Sequence, residues 1–154
     1  MIVRDYTLND AAAFRDLNLA WVEAFFTVED EDRAQLEDPN THILDKGGAI
    51  LIAEYQGEAV GTVGLVPGHH EGMLELIKMS ARSDIQGKGI GRALMDAAIE
   101  KAREMGASQI WLETNTSLEA ALALYRKSGF RELTGDELTP TPYDRCNCQM
   151  LLDL

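Results

Sequence analysis

The sequence predicts an α+β fold in which helices cover a mixed sheet. The hydrophobic pattern switches repeatedly between a period of two and a period of about 3.6 residues, as it does where strands and helices alternate. Residues 49–55 and 59–68 are two apolar extended runs joined by the short polar link QGE, which is typical of a hairpin. The predicted element order is β-α-α-β-β-β-α-β-α-β-β.

The N-terminal half contains four of the predicted strands and two helices. Residues 1–7 predict the first strand, and Asn9 or Asp10 is suited to cap a helix that runs to about Phe26. The charge-rich residues 28–40 predict a short, solvated helix that Pro39 terminates. The hairpin of residues 49–68 and a strand over residues 73–81 follow.

The C-terminal half begins with a helix, because apolar residues recur on one stripe from Ile90 to Met105 before Gly106 ends the pattern. Residues 108–114 predict a strand. Residues 117–130 predict a second helix that stops at Gly129. Two further extended runs, residues 130–133 and 146–154, flank the proline-rich turn of residues 139–145.

Length and composition predict one domain over residues 1–154, since 45% apolar content is enough for a sizeable core. No run of about 18 apolar residues and no signal-like N-terminus is present, so the cytoplasm is the expected compartment. The net charge of −12 argues against nucleic acid or an anionic membrane as a partner. A cationic substrate fits such a surface, although solubility alone also explains it.

The glycine-rich stretch of residues 83–98 predicts an anion-binding loop. The dinucleotide pattern G-x-G-x-x-G fails in both frames, and the P-loop pattern fails because Lys88 precedes Gly89. The first amides of the following helix, together with Lys88 and Arg92, suit a phosphate or pyrophosphate. The alternative is a tight strand-to-helix turn with no ligand.

Residues Gln86 to Gly91, QGKGIG, resemble the Q/R-x-x-G-x-G/A signature of the GNAT superfamily of acetyl-CoA-dependent N-acetyltransferases. LYRKSGF, which ends at Phe130, resembles the family's Y-x-x-x-G-F ending, and the element order matches almost the whole chain. The sequences ELIKM and LETN are similar to those of small bacterial members. The resemblance implies a central mixed, mostly antiparallel sheet of six to seven strands with about four helices.

The same resemblance implies that the chain binds acetyl-CoA through the loop and through the backbone of the preceding strand. The amide of Met79 would stabilise the oxyanion. Leu118 stands where many members have asparagine, so Asn115 is the candidate pantetheine contact, with a helix cap as its alternative role. The implied coenzyme-binding residues are Met79, Ser80, Ala81, Gln86, Gly87, Lys88, Gly89, Ile90, Gly91, Arg92 and Asn115.

Two side chains are candidates for proton transfer. Glu75 lies eleven positions before Gln86, a spacing that resembles the general base of histone-type members. Strand alternation would place Glu75 with Ile77 and Met79 on an apolar face, which would raise its pKa; the alternative is a glutamate that faces water. Tyr125 matches the family's general acid, and it also belongs to a packing stripe of its helix.

The acceptor site is predicted between the first helices and the last hairpin, and its candidate lining is Trp21, Phe25, Phe26, Tyr143 and Arg145. Arg145 would grip a substrate carboxylate in a bidentate pair, or else pair with a nearby acid while the aromatics form core.

His69, His70 and Glu71 are expected to be solvated loop residues, and Cys146 and Cys148 reduced packing thiols, so no metal is predicted.

The predicted function is transfer of acetyl from acetyl-CoA to a primary amine of a small molecule, with an amino acid among the candidates. An enzyme that acts on a protein or peptide, and a non-catalytic acyl-CoA sensor, are the alternatives. Retention of both Glu75 and Tyr125 favours catalysis. The chain is expected to be a monomer or a homodimer.

Overall fold

The computed structural model describes residues 1–85 and 87–154 and shows one seven-stranded sheet in the order β1-β2-β3-β4-β5-β7-β6. Every neighbouring pair is antiparallel except β4 and β5. The strands are β1 (Ile2–Asp5), β2 (Ala49–Tyr55), β3 (Glu58–Pro67), β4 (Met73–Ala81), β5 (Gln109–Thr114), β6 (Arg131–Glu132) and β7 (Cys148–Asp153).

Four α-helices join these strands: α1 (Ala11–Phe25), α2 (Asp30–Glu37), α3 (Ile90–Glu104) and α4 (Glu119–Lys127). Short 3-10 turns cover Leu8–Asp10 and Gly135–Glu137, and a π-type turn covers Asn40–Leu44. The predicted element order and the α+β class are therefore confirmed. In the described part of the chain, no helix is long and apolar enough to cross a membrane.

The helices pack on both faces of the sheet and form two cores. On one face, Leu94 and Met95 of α3 and Leu122 of α4 pack against the strands around Leu112. On the other face, Phe14 of α1 and Leu36 of α2 form a second cluster with apolar side chains of β2, β3 and β4. β4 lies between the two cores, and its side chains reach both.

The β2–β3 hairpin closes through a two-residue turn, because Tyr55 pairs with Glu58. Gln56 and Gly57 both have positive φ, at 53° and 81°, as a type I′ turn requires. Gln56 is not glycine, so this turn carries some backbone strain.

A β-bulge in β4 breaks the alternation expected for Glu75, Ile77 and Met79. Ile77 pairs with Gly64 and Ser80 with Thr62, so Lys78 and Met79 together face one residue of β3. Lys78 has a φ of 51°. Glu75 and Ile77 remain on the α1–α2 side, but Met79 packs with the α3–α4 core. The expectation of one shared face is wrong because local alternation does not reveal the pairing with β3.

The parallel pair of β4 and β5 opens a cleft in the middle of the sheet. Their pairing register runs from Met73 opposite Gln109 to Glu75 opposite Trp111. Beyond Glu75, β4 continues to Ala81 and β5 to Thr114, and the two strands diverge around a cavity. This divergence places the end of β4 beside the start of α3.

Candidate active site

The cleft between β4 and β5 is a cavity of about 360 Å³. α1 borders it on one face of the sheet, and α3 and α4 border it on the other. Its lining includes the predicted residues Trp21, Glu75, Met79, Ser80, Ala81, Gly91, Asn115, Tyr125, Tyr143 and Arg145. The fold therefore gathers candidates that lie more than 120 positions apart in the sequence into one site.

Glu75 lies at the inner end of the cleft, at the last paired position of β4 and β5. Burial raises the pKa of Glu75 to about 7, and the negative charges of Glu113 and Glu31 add to this effect. Lys78 opposes them. A carboxylate with a pKa near neutrality is well matched to accept a proton at physiological pH.

Tyr125 lies on α4, which borders the cleft opposite β4. The side chain is 9% exposed and packs against Phe130 with ring centroids 5.9 Å apart. Burial raises the pKa of Tyr125 to about 12, so its hydroxyl keeps its proton at neutral pH. Tyr125 thus belongs to the core packing stripe and also borders the cavity.

The bulge leaves the backbone of Lys78 and Met79 outside the sheet ladder. Among residues 1–85 and 87–154, neither Lys78 nor Met79 is paired with a residue of β3 or β5. The Thr62 hydroxyl donates to the Lys78 carbonyl at 2.8 Å, and the Asn18 amide donates to that hydroxyl at 3.0 Å. The buried Asn18 and Thr62 side chains therefore hold the bulge in place at the edge of the cleft.

The glycine-rich loop ends at the N-terminus of α3, with Gly89 as the N-cap residue and Ile90 as the first helical residue. Within the described loop, no side chain caps the first amides of α3. Gly89 has a φ of 70°, and a Cβ added there would meet no described atom within 4 Å. Free amides beside open space are the arrangement that binds phosphate at a helix N-terminus.

Two cations lie near this loop. Lys88 is exposed, with its ammonium 5.9 Å from the ring centroid of Tyr55. Arg92 on α3 donates to Asp96 at 3.2 Å across one helical turn. Gln86, which is predicted to act in the same loop, lies outside the described residues.

Asn115 borders the cleft, but its side chain is bonded within the chain. Its amide nitrogen donates to the Arg145 carbonyl at 2.7 Å, and its oxygen accepts from the Ser117 amide at 2.8 Å. Asn115 therefore ties the segment before β7 to the turn before α4. Leu118, the residue in the family position, also lines the cavity.

Arg145 does not present a free guanidinium to the cleft. It forms a bidentate pair with Asp32 of α2 at 2.7 and 2.8 Å. Lys78 also donates to Asp32, which is completely buried. Burial disfavours the charged form of Asp32, but hydrogen bonds from Arg145 and the charge of Lys78 outweigh it and hold its pKa below the usual range.

This buried cluster of Asp32, Lys78 and Arg145 was missed from the sequence because α2 was predicted to be fully solvated. It joins α2, the bulge of β4 and the segment before β7. Tyr143 is part of the same packing, with the Arg145 guanidinium 4.3 Å from its ring centroid. The cluster therefore fixes the wall of the cleft that faces α1.

Three of the four predicted aromatic residues of the acceptor site line the cleft. Trp21, Phe26 and Tyr143 border it. Phe25 does not, because it is 59% exposed on the outer side of α1. The helical period could not show which of Phe25 and Phe26 faces the cleft, because α1 ends at Phe25 and Phe26 is already extended.

The remaining candidates show no arrangement for a metal. The His69 ring packs edge-on against Trp111, with centroids 4.6 Å apart. Cys146 and Cys148 are both free thiols. Among the described residues, no three histidine, cysteine or acidic side chains are grouped to hold a metal ion.

Comparison with known proteins identifies relatives along the whole chain. Residues 12–130 match the model of the acetyltransferase (GNAT) family. The chain is 34% identical to the uncharacterized N-acetyltransferase YjgM of Escherichia coli K12, over 99% of this chain and 95% of that protein.

Solved structures show the same fold. A GNAT-family acetyltransferase from Staphylococcus aureus matches with a TM-score of 0.87 at 23% identity, over 99% of this chain and 98% of that one. An acetyltransferase from Bacillus subtilis, solved in complex with CoA, matches with a TM-score of 0.69 at 25% identity, over 99% and 97% of the two chains.

Proposed function

The chain belongs to the acetyltransferase (GNAT) family, and we propose that it transfers acetyl from acetyl-CoA to a primary amine of a small molecule by direct attack. Family membership makes it an acetyl-CoA-dependent N-acetyltransferase. The observation that carries the proposed mechanism is the placement of Glu75 and Tyr125 on one cleft, next to strand backbone that the sheet ladder leaves free.

The residues of the cleft fit acetyl-CoA. Gly87, Gly89 and the first amides of α3 would hold the pyrophosphate, with Lys88 and Arg92 nearby. The backbone of Met79 to Ala81 would pair with the pantetheine arm as an added strand does. The coenzyme supplies an acyl group activated as a thioester.

Glu75 and Met79 serve the attack on the carbonyl carbon. An alkylammonium has a pKa near ~10, so it must lose a proton before its nitrogen can attack. The Glu75 carboxylate accepts that proton, directly or through a water molecule. The backbone amide of Met79, at the bulge, would donate to the carbonyl oxygen as negative charge develops there.

Tyr125 serves the departure of the thiolate. The nitrogen–carbon bond forms, the carbon–sulfur bond breaks, and the tyrosine hydroxyl gives a proton to the sulfur. The nitrogen loses its second proton, so an ammonium and a thioester become an amide, a thiol and one released proton. Tyr125 is then reprotonated from solvent.

The size of the cleft supports a small molecule rather than a protein side chain as acceptor. The cleft is confined between α1, α4 and the segment before β7, and its volume of about 360 Å³ lies at the lower end of small-molecule sites. Among small molecules an amino acid is disfavoured, because Arg145 is engaged by Asp32 and the amino-acid carboxylate would not find the partner expected from the sequence.

A test is the release of free thiol from acetyl-CoA with a panel of amines, amino acids, aminoglycosides and peptides. The proposal predicts turnover with at least one small primary amine and none with peptides. Turnover with peptides alone would contradict it, and coenzyme binding without turnover on any acceptor would indicate a sensor.

A further inference from the structure

A second cavity of about 410 Å³ adjoins the cleft on the side of the sheet that α2 covers. Glu75, Glu113 and Tyr143 line both cavities and form the boundary between them. The second cavity extends from this boundary towards α2 and the end of β3. The second cavity is thus an open space next to Glu75, the predicted base, and no described residue of the glycine-rich loop lines it.

Negative charge dominates this second cavity. Three carboxylates line it, from Glu31 on α2, Glu75 on β4 and Glu113 on β5. Burial raises the pKa of Glu113, as it does for Glu75. Lys46 also lines the cavity, and the side chains of both Lys46 and Glu31 are exposed at its rim, while Glu75 and Glu113 lie deeper. Like charges gathered in a partly buried space favour a cationic ligand.

Two residues that line this cavity each carry a buried oxygen atom with no hydrogen-bond donor. Within the described part of the chain, Gln35 Oε1 and Glu113 Oε2 are buried and unpartnered. Gln35 as a residue is only 7% exposed. Because a buried acceptor without a donor is destabilising, these atoms indicate a site that lacks donors. An ammonium group carries three donors and no acceptor.

The acceptor groups come from two parts of the fold. Glu75 and Glu113 lie at the boundary with the cleft, while Glu31 and Gln35 are one helical turn apart on α2 and share a face. Apolar side chains of Val66, Pro67 and Trp111 line the space as well. Such a cavity suits a molecule with a cationic group at each end and methylene groups between them.

We propose that the acceptor is an aliphatic diamine or polyamine, whose reacting nitrogen lies at Glu75 and whose remote ammonium is bound by Glu31 and Gln35. This inference rests on the proposed function, because it assigns the second cavity to the acceptor of that reaction. One nitrogen loses its proton and becomes the amide; the other stays protonated and serves only to bind. A substrate carboxylate in the same place would be repelled by three carboxylates.

The first test compares acceptors of equal length: 1,4-diaminobutane, n-butylamine and 4-aminobutanoate. The proposal predicts a kcat/KM for the diamine at least tenfold above that for the monoamine, and no measurable turnover of the amino acid. Equal use of diamine and monoamine, or a preference for the amino acid, would overturn it.

Variants on α2 test the binding role. At pH 9, where Glu75 is ionised with or without the Glu31 charge, Glu31→Gln and Gln35→Leu should each lower kcat/KM for the diamine about tenfold through KM and lower that for the monoamine by a smaller factor. Glu37→Gln removes the same charge from the exposed side of α2 and should change neither value. Equal losses with both amines would show that α2 acts only on the fold.

A binding measurement separates this inference from the proposed function. Calorimetric titration of 1,4-diaminobutane into the CoA-loaded protein should show binding that weakens about tenfold in Glu31→Gln. If no amine is acetylated but this binding is observed, the proposed function fails and the cavity assignment stands. If amines are acetylated but the diamine binds no better to wild type than to Glu31→Gln, the cavity assignment fails.

Discussion

Glu75 and Glu113 lie on the same face of the sheet, on neighbouring strands, at the point where β4 and β5 diverge. Glu75 is opposite Trp111 in the register, and Glu113 follows Trp111 by two positions. After burial, the charge of Glu113 is the strongest influence that raises the pKa of Glu75. The divergence of the two strands therefore creates both the cleft and the environment of its base.

Removal of the Glu113 charge should make Glu75 a stronger acid. In Glu113→Gln, the midpoint of the pH–rate profile at saturating amine should move to lower pH than in wild type, because one repelling charge is gone. Glu104→Gln, an equal charge change at the exposed end of α3, should leave the midpoint in place. A midpoint that moves upward in Glu113→Gln would contradict the assignment.

Glu75 should lower the stability of the folded protein at alkaline pH. Its folded pKa, about 7, exceeds the ordinary glutamate value of 4.5, so wild type loses stability as pH rises between these values. Glu75→Gln cannot ionise and should be more stable than wild type at pH 8, on the order of 3 kcal/mol. Urea denaturation should show almost no difference at pH 4. A variant less stable at pH 8 would contradict a buried, desolvated carboxylate.

Asp32→Ala should destabilise the fold strongly, because it leaves the buried Lys78 charge without a carboxylate partner and leaves Arg145 only the 3.5 Å contact with Glu29. The expected loss is about 3–5 kcal/mol by urea denaturation. The matched control is Asp16→Ala, which breaks the exposed pair with Arg15 and should cost less than about 1 kcal/mol. Equal losses would show that the buried cluster has no special role.

Gly89→Ala should weaken coenzyme binding beyond its effect on stability. Gly57→Ala is the control, because both glycines have positive φ, at 70° and 81°, and a Cβ at either would meet no described atom within 4 Å. Each variant should lose about 1–2 kcal/mol of stability through backbone strain. Only Gly89→Ala should raise the Kd for CoA, at least tenfold, since its Cβ enters the space for the pyrophosphate. An equal Kd in both variants would contradict the assigned loop.

Tyr125→Phe should keep the core packing against Phe130 and lose the hydroxyl that protonates the thiolate. We expect kcat to fall about 100-fold with little change in KM for acetyl-CoA. Thermal denaturation should show a stability close to that of wild type. Unchanged kcat would mean that Tyr125 is a packing residue only.

The sequence was sufficient to predict the elements and the glycine-rich turn before α3, because hydrophobic period and glycine spacing are local signals. Gly89 precedes the first helical residue as expected, and the order of strands and helices is confirmed. The bulge at Lys78 was not predictable in this way, since it exists only in the register between β4 and β3.

The acceptor side was predicted less well for the same physical reason. Asp32 and Gln35 lie in a helix whose composition indicates a solvated surface, yet both are buried by packing against distant elements. The sequence left two roles open for Arg145, a contact to a substrate carboxylate or an ion pair within the chain. The ion pair with Asp32 joins residues 113 positions apart, so no local pattern could decide between them. A lysine within the apolar run of β4 was the one local signal of a buried charge cluster.

The most direct test of the account is the pH dependence of kcat/KM for acetyl transfer in wild type and in Glu75→Gln. We predict that the wild-type value rises with a single ionisation near pH 7, and that Glu75→Gln is at least 100-fold slower at pH 7 and lacks this ionisation. A Glu75→Gln variant that keeps the wild-type rate and profile would contradict the assignment of Glu75 as the base.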